Sequence, residues 1–352
     1  MKTPFRSLLV VSMSLIVLLG LSGCGSSGTE SWTSSTTKFA YIQEEASAGA
    51  SGTHADLLPT RPFSHAVRTH KAGKRATTST GVDIQTGSFD LYVYDTSTNT
   101  NTQLVTGYAF ISAQLSNDGT ELLVCAEDTS GYLQLYLADA KFQTINQLTS
   151  GESTHFTPSI SPDGTFVIYS DGDYLYSIPI KDGAAAGAAT EITAASAFFG
   201  IYPVVAPDNN TIVFTGEVGD TGVFIYSLNL TTQALTKLSL GSGSSYGDWF
   251  PAISPDGKKV AFTRVSDVSD TLSWNIASID ITGETTADPA TALTSNSVSL
   301  ESQYVAGKIV FMSENTTDRY LNIWEMNTDG SNQVRLTNES EPEFFDEVLF
   351  GE

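Results

Sequence analysis

Little in this chain is equipped for chemistry. Its 352 residues include two cysteines and four histidines, and 17 lysines and arginines stand against 39 aspartates and glutamates. No Gly-x-Ser-x-Gly elbow, His-Glu-x-x-His pair, phosphate-cradling glycine loop or Cys-x-x-Cys pair occurs in it. Those absences remove the sequence signs of serine-hydrolase, zinc-protease, nucleotide and thiol-redox chemistry. The spacings of 11 residues from His54 to His65 and 5 from His65 to His70 fit no metal template. No dense Asp-x-Asp-x-Asp loop is present either, so neither a metal nor another cofactor is expected. The shortage of basic residues excludes phosphate-backbone recognition of nucleic acid. Helical periodicity is almost missing, which argues against a solenoid of helices.

What the chain has is a repeat. Ser161-Pro162-Asp163-Gly164 returns as Ser254-Pro255-Asp256-Gly257, with weaker copies at Ser116-Asn117-Asp118-Gly119 and Ala206-Pro207-Asp208-Asn209. The aspartates at 118, 163, 208 and 256 step by 45, 45 and 48 residues, a period that marks stacked supersecondary units. Pro presets φ at the first central turn position, Asp caps backbone with its carboxylate, and Gly accepts positive φ, so Asp163 and Asp256 read first as turn formers. After each turn comes a strand-like run, as in Phe166-Val167-Ile168-Tyr169 and Ile212-Val213-Phe214. A second run follows, as in Tyr174 to Ile180, and a third ends in a pair such as Leu148-Thr149 or Leu293-Thr294. With the apolar stretch before the turn, each unit holds four strands, and four-stranded units of this length specify an all-β, six-bladed β-propeller.

Blades two to six end near residues 151, 196, 243, 297 and 340. Lys38 to Ile42, Phe89 to Asp95 and Gln103 to Thr106 supply strands two to four of blade one, and residues 342–350 are expected to close the ring as its inner strand. The repeat resembles the TolB-type propeller repeat, related to the WD-dipeptide propellers, over residues 37–352. That resemblance implies a periplasmic scaffold in contact with other envelope proteins; similar repeats also form the propeller parts of peptidases and pectin-fragment lyases. The chain departs from the pattern at Asn117, at Asn209-Asn210 and at Val305-Ala306-Gly307-Lys308.

The N-terminus reads as an export signal. Lys2 and Arg6 precede an apolar run from Leu8 to Leu19, followed by Leu21-Ser22-Gly23-Cys24. This order resembles the bacterial lipoprotein signal, which implies cleavage after residue 23 and acylation of Cys24. Residues 24–36 then form a Gly/Ser/Thr tether to a domain spanning 37–352. Gly25 lacks the aspartate that retains enterobacterial lipoproteins at the inner membrane, so the resemblance implies the outer membrane, facing the periplasm, in a host with two membranes. Without Lys2 and Arg6, 15 basic residues face 39 acidic ones, a formal charge of −24. A monomer is expected. Cys125, left without a partner, reads as a buried small hydrophobe.

Two regions are candidate sites. An insertion at about 46–85 in blade one carries Arg61, Arg68, Lys71, Lys74 and Arg75, and reads either as a disordered loop or as a partner-binding basic arm that docks on acidic surface. The blade-to-blade connections gather His155, Phe156, Tyr202, Tyr246, Asp248, Trp249 and Phe250 on the same face. Aromatics ringed by polar groups suit a protein interface, or a sugar platform built on Tyr246 and Trp249. The function expected is a lipid-anchored, non-catalytic scaffold that binds an envelope protein. The alternatives are a carbohydrate-binding propeller or a polysaccharide lyase or hydrolase, for which His155, Asp248 and Arg264 are the mixed acid-base candidates.

Overall fold

The computed structural model describes residues 9–10, 16–17, 38–44, 75–77, 83–192, 198–218, 222–240, 247–267, 272–281, 290–295, 298–314, 321–337 and 348–349. Six antiparallel sheets form a ring, a six-bladed β-propeller, with no helix among the described residues. Blade two runs through Phe110–Leu115, Glu121–Glu127, Leu133–Asp139 and Ile145–Gln147, from inner to outer strand. Blade three begins at Phe156–Ile160, blade four at Phe198–Val205, blade five at Asp248–Ile253 and blade six at Ser299–Val305.

The turn between the first two strands is built as its residues demand. Ser161 Oγ donates to Asp163 Oδ1 at 2.8 Å, and the same carboxylate oxygen accepts from Thr165 N at 3.1 Å. Gly164 N closes the turn on Ser161 O at 2.9 Å with φ 69°, a left-handed position that glycine takes without strain. Blades two and five repeat this through Ser116–Asp118 and Ser254–Asp256, at 2.7 and 2.6 Å. In blade four Asn209 takes the left-handed place at φ 54°, which asparagine tolerates. Blade six loses the motif because its hairpin is tighter. Val305 pairs with Lys308 across Ala306 and Gly307, both at positive φ, as a two-residue hairpin requires.

The Leu-Thr pairs have an equally specific task. Leu148 N donates to Leu135 O at 2.7 Å, while Thr149 Oγ1 accepts from Leu135 N at 2.9 Å, so two consecutive residues hold both polar groups of one third-strand residue. Ser239 on Ile225, Thr294 on Ile276 and Thr337 on Ile323 do the same at 2.9, 2.9 and 3.0 Å. An amide braces the hydroxyl: buried Gln134 and Asn322 and half-buried Asn275 accept from Thr149, Thr337 and Thr294. In blade four that place belongs to Phe224, and Lys237 Nζ lies 3.2 Å from its ring centroid instead.

Blade one departs in detail from expectation. Lys38–Glu44, Asp83–Asp95 and Thr100–Tyr108 are its second to fourth strands. The segment beside Phe39 and Ala40 of the second strand is the leader run Ile16–Val17, where residues 342–350 were expected, and the tail's Val348–Leu349 forms a separate two-stranded sheet with Leu9–Val10. A β-prone segment some twenty residues away closes a far smaller loop than one three hundred residues away. At the end of the expected insertion, Arg75–Thr77 pairs with Asp83–Gln85, and Ile84 is fully buried.

Thr294→Val keeps the side-chain shape but leaves the buried Ile276 N–H without its acceptor. A loss of about 1–3 kcal/mol is expected in urea unfolding, with an exposed control at Thr291→Val near zero. Equal stability of the two variants would remove the hydroxyl lock from the account of the fold.

Candidate functional site

The inner strands of blades three to six are interrupted at equivalent places. Pairing slips between Phe156 and Ser159, Ile201 and Val204, Trp249 and Ala252, and Leu300 and Gln303. Inside each slip one residue takes the left-handed region: Thr157 at φ 47°, Tyr202 at 51°, Phe250 at 52° and Glu301 at 50°. None is glycine, so each costs about 1–2 kcal/mol of backbone energy. In three of them proline follows, at 158, 203 and 251, six residues ahead of the turn aspartate for the residue that bends.

These residues lie near the starts of the inner strands, where the blade-to-blade connections enter, a set of positions we call the throat. Tyr202 N donates to Thr157 Oγ1 at 3.2 Å, and the Tyr202 and Phe250 ring centroids are 4.5 Å apart, so neighbouring blades touch through their bulges. Glu301 N donates to Thr263 Oγ1 at 3.0 Å, and its residue is only 4% exposed. Thr157 and Glu301 did not figure among the expected site residues; the Thr157-Pro158 step was the available sign.

The expected residues divide between this throat and the core. Tyr202 and Phe250 are half-buried at the throat. Phe156 is buried, and Trp249, expected on the surface, is 7% exposed and packs in the central core cluster. Gly247 explains the inward turn of this segment. At φ 94° a Cβ there would come within 2.7 Å of Val223 Cβ, so the chain presses against blade four and carries Asp248 and Trp249 inside. Asp248 is 1% exposed and receives Arg264 Nε and Nη2, both at 2.8 Å. The two are register partners on adjacent strands. Tyr246, Arg61, Arg68, Lys71 and Lys74 lie outside the described residues, and Arg75 begins the short strand of the blade-one hairpin.

His155 belongs to another neighbourhood. Its Nδ1 lies 3.1 Å from Gln134 Oε1 and its ring stands edge-on to Tyr169 at 5.3 Å. Tyr169 in turn stacks on Tyr176 at 5.5 Å. The acid-base set of His155, Asp248 and Arg264 is thus split between blades three and five, and the Asp248–Arg264 pair neutralises itself. Among the described residues no group of three His, Cys, Asp or Glu side chains is placed to hold a metal ion.

Comparison with known proteins agrees with this architecture. No family model matches the chain. Over 129 residues, 36% of this chain, it is 30% identical to the protein TolB homolog of Chlorobaculum tepidum; the match spans 28% of that protein's length. The crystal structure of TolB from Acinetobacter baumannii superposes with a TM-score of 0.59 and 20% identity, over 73% of this chain and 62% of that one. A TolB-type structure from Agrobacterium tumefaciens gives 0.56 and 20%, over 72% and 88%. The chain shares the β-propeller fold of these TolB structures.

Within this propeller the titrating groups His155, Tyr169, Tyr176 and Lys237 respond first to burial. Burial pulls the His155 imidazole below its ordinary value, with Asp171 opposing. Burial, then Asp171, pushes the Tyr169 and Tyr176 hydroxyls up to about 12. Lys237 is lowered by burial against the pull of Asp248.

A pH dependence follows for His155. Its folded value lies below the unfolded 6.5, so the folded state binds fewer protons in that interval; the stability present above 6.5 is lost as pH falls below it. His155→Gln keeps a polar side chain beside Gln134 and is expected to flatten the fall of Tm on acidification below 6.5. A slope identical to wild type would assign the acid sensitivity to other groups.

Proposed function

We propose that the protein is a lipid-anchored scaffold of the cell envelope that binds a partner protein through the connection face and performs no reaction itself. One observation carries the reading: the throat holds Tyr202 and Phe250 in costly backbone conformations, with their rings in contact and half-exposed near the starts of the inner strands. Strained positions persist where the surrounding structure over-determines them, and preorganised aromatics are favoured anchors at protein interfaces. Asp248 nearby is neutralised by Arg264, which suits recognition better than proton transfer. The resemblance of the repeat to the TolB type supports an envelope protein-binding role. A sugar platform is the weaker reading, because Trp249 is buried.

In this reading Cys24 carries the acyl chains, several of which anchor stably where one gives marginal binding. Residues 25–36 tether the ring, and the basic arm at 46–74 reaches toward the partner. The arm is bounded at 74 because the hairpin from Arg75 to Gln85 contributes buried Ile84 to the core.

Crosslinked envelopes from cells bearing the wild type should give a stoichiometric protein partner. Tyr202→Ser with Phe250→Ser, in a variant whose Tm shows it folded, should lose that partner. Removal of residues 46–74 should weaken capture, and capture by the wild type should decline with salt, which screens exposed charge. Recovery of polysaccharide without protein, or a partner indifferent to both changes, would overturn the proposal.

The anchor has its own test. Cys24→Ser is expected to move the protein from the membrane fraction to the soluble periplasm or to block its processing. Unchanged fractionation with normal processing would sink the lipoprotein assignment.

A further inference from the structure

The amides that brace the hydroxyl pairs differ in what else they hold. In blade six the Asn322 oxygen also receives Arg335 Nη2 at 2.9 Å, and in blade five Asn275 Nδ2 donates to Ser273 Oγ at 2.6 Å. In blade two the amide is the longer Gln134, fully buried, and it gathers the whole connection to blade three. Its Nε2 donates to Gly151 O and Ser153 O, both at 3.0 Å. Its Oε1 accepts from Thr149 Oγ1 at 2.8 Å and lies 3.1 Å from His155 Nδ1. Of the three braces, only this one holds a group that titrates near neutral pH.

The network decides where His155 carries its hydrogen. Both amide hydrogens of Gln134 are committed to carbonyls, so its oxygen can only accept, and the imidazole must be protonated on Nδ1. Nε2 is then the atom that takes up a proton in acid. From blade two the residue meets the Leu133 carbonyl, which accepts from His155 N at 2.8 Å, the Gln134 amide, and the Cys125 S–H, which donates to His155 O at 3.4 Å. From blade three it meets Tyr169, stacked on Tyr176, and the carboxylate of Asp171. Glu191 stands across from Tyr176 on the outer strand, and Glu152 of the connection itself is exposed. Asp171 favours an imidazolium here, and burial outweighs it.

We propose that His155 is a proton-operated latch on the connection between blades two and three. Neutral, its ring stays against Tyr169 with Nδ1–H on Gln134. Protonated, it leaves that place, and residues 149–155 open while the ring of blades stays closed. In the open state the imidazole is solvated and binds protons with its ordinary affinity, so acid favours opening. Thr157, which receives Tyr202 N at 3.2 Å, lies two residues further on. On the scaffold reading, the latch therefore also sets how firmly the throat is held in acid.

Cys125 reports on the latch, because it is fully buried and donates to His155 O. In the full chain carrying Cys24→Ser, Cys125 is the only thiol. Its exchange with a pyridyl disulfide is followed between about pH 8 and 5, as a ratio to the rate of the same thiol in urea. The ratio is expected to rise below pH 6.5 by up to about tenfold per unit, with the far-UV circular dichroism unchanged. His155→Gln, which keeps a donor for Gln134, should hold the ratio level, and Asp171→Asn should carry the rise to lower pH. A wild-type ratio that does not change with pH, an equal rise in His155→Gln, or loss of the whole β-sheet signal along with the rise would each overturn the proposal. No partner protein enters these readouts, so failure of the scaffold reading would leave them unchanged.

Discussion

A four-stranded sheet has two faces and can bury neither alone; in this ring each face is covered by the next blade. The consequence is visible along a single strand. Ile212 and Phe214 of blade four pack with Ile168 and Leu175 of blade three, while Val213 between them packs with Val260 and Phe262 of blade five. Ala261 then faces Ile309 and Phe311 of blade six. Successive side chains point to opposite faces, yet both faces are core, so the second strands are continuous apolar runs rather than alternating ones. The same dependence makes any one blade meaningless in isolation.

Packing of this kind fixes the distance between blades but not the register within them. Register is set by polar groups at the two ends of each unit. Ser–Asp turns fix the first two strands at one face, and hydroxyl pairs such as Thr149 on Leu135 fix the last two near the other. Between these clamps the inner strand has one residue too many, and the excess appears as the left-handed positions at Thr157, Tyr202, Phe250 and Glu301. The throat is thus produced by the repeat itself. What differs from blade to blade is the side chain placed there, threonine, tyrosine, phenylalanine and glutamate in turn, and that is where a generic ring acquires a particular binding character.

The fold was legible because its signals are local. A turn needs four residues, and Ser161 to Gly164 contain all of them; the strands that follow were located to within a residue or two of Phe166–Ser170 and Leu175–Lys181. The site was only half legible. Tyr202 and Phe250 sit half-buried in the bulges of their inner strands, but Trp249, adjacent to Phe250, went into the core because a bulge decides which neighbour turns inward. The Asp248–Arg264 pair spans 16 residues and depends on strand register, which no local pattern records. Thr157 and Glu301 carry no chemistry conspicuous in a sequence. Their importance lies in φ.

Blades two to six are each made from one continuous run, so nearly all their strand contacts join residues close in the chain. Blade one differs, since closing the ring brings it against blade six, with Tyr94 in the field of Glu325 more than two hundred residues along the chain. In kinetic terms the five local blades have low contact order and the last closure a very high one. An open ring of five blades, with apolar faces at both ends, is therefore the species to look for in refolding experiments as the slowest to convert and the quickest to aggregate.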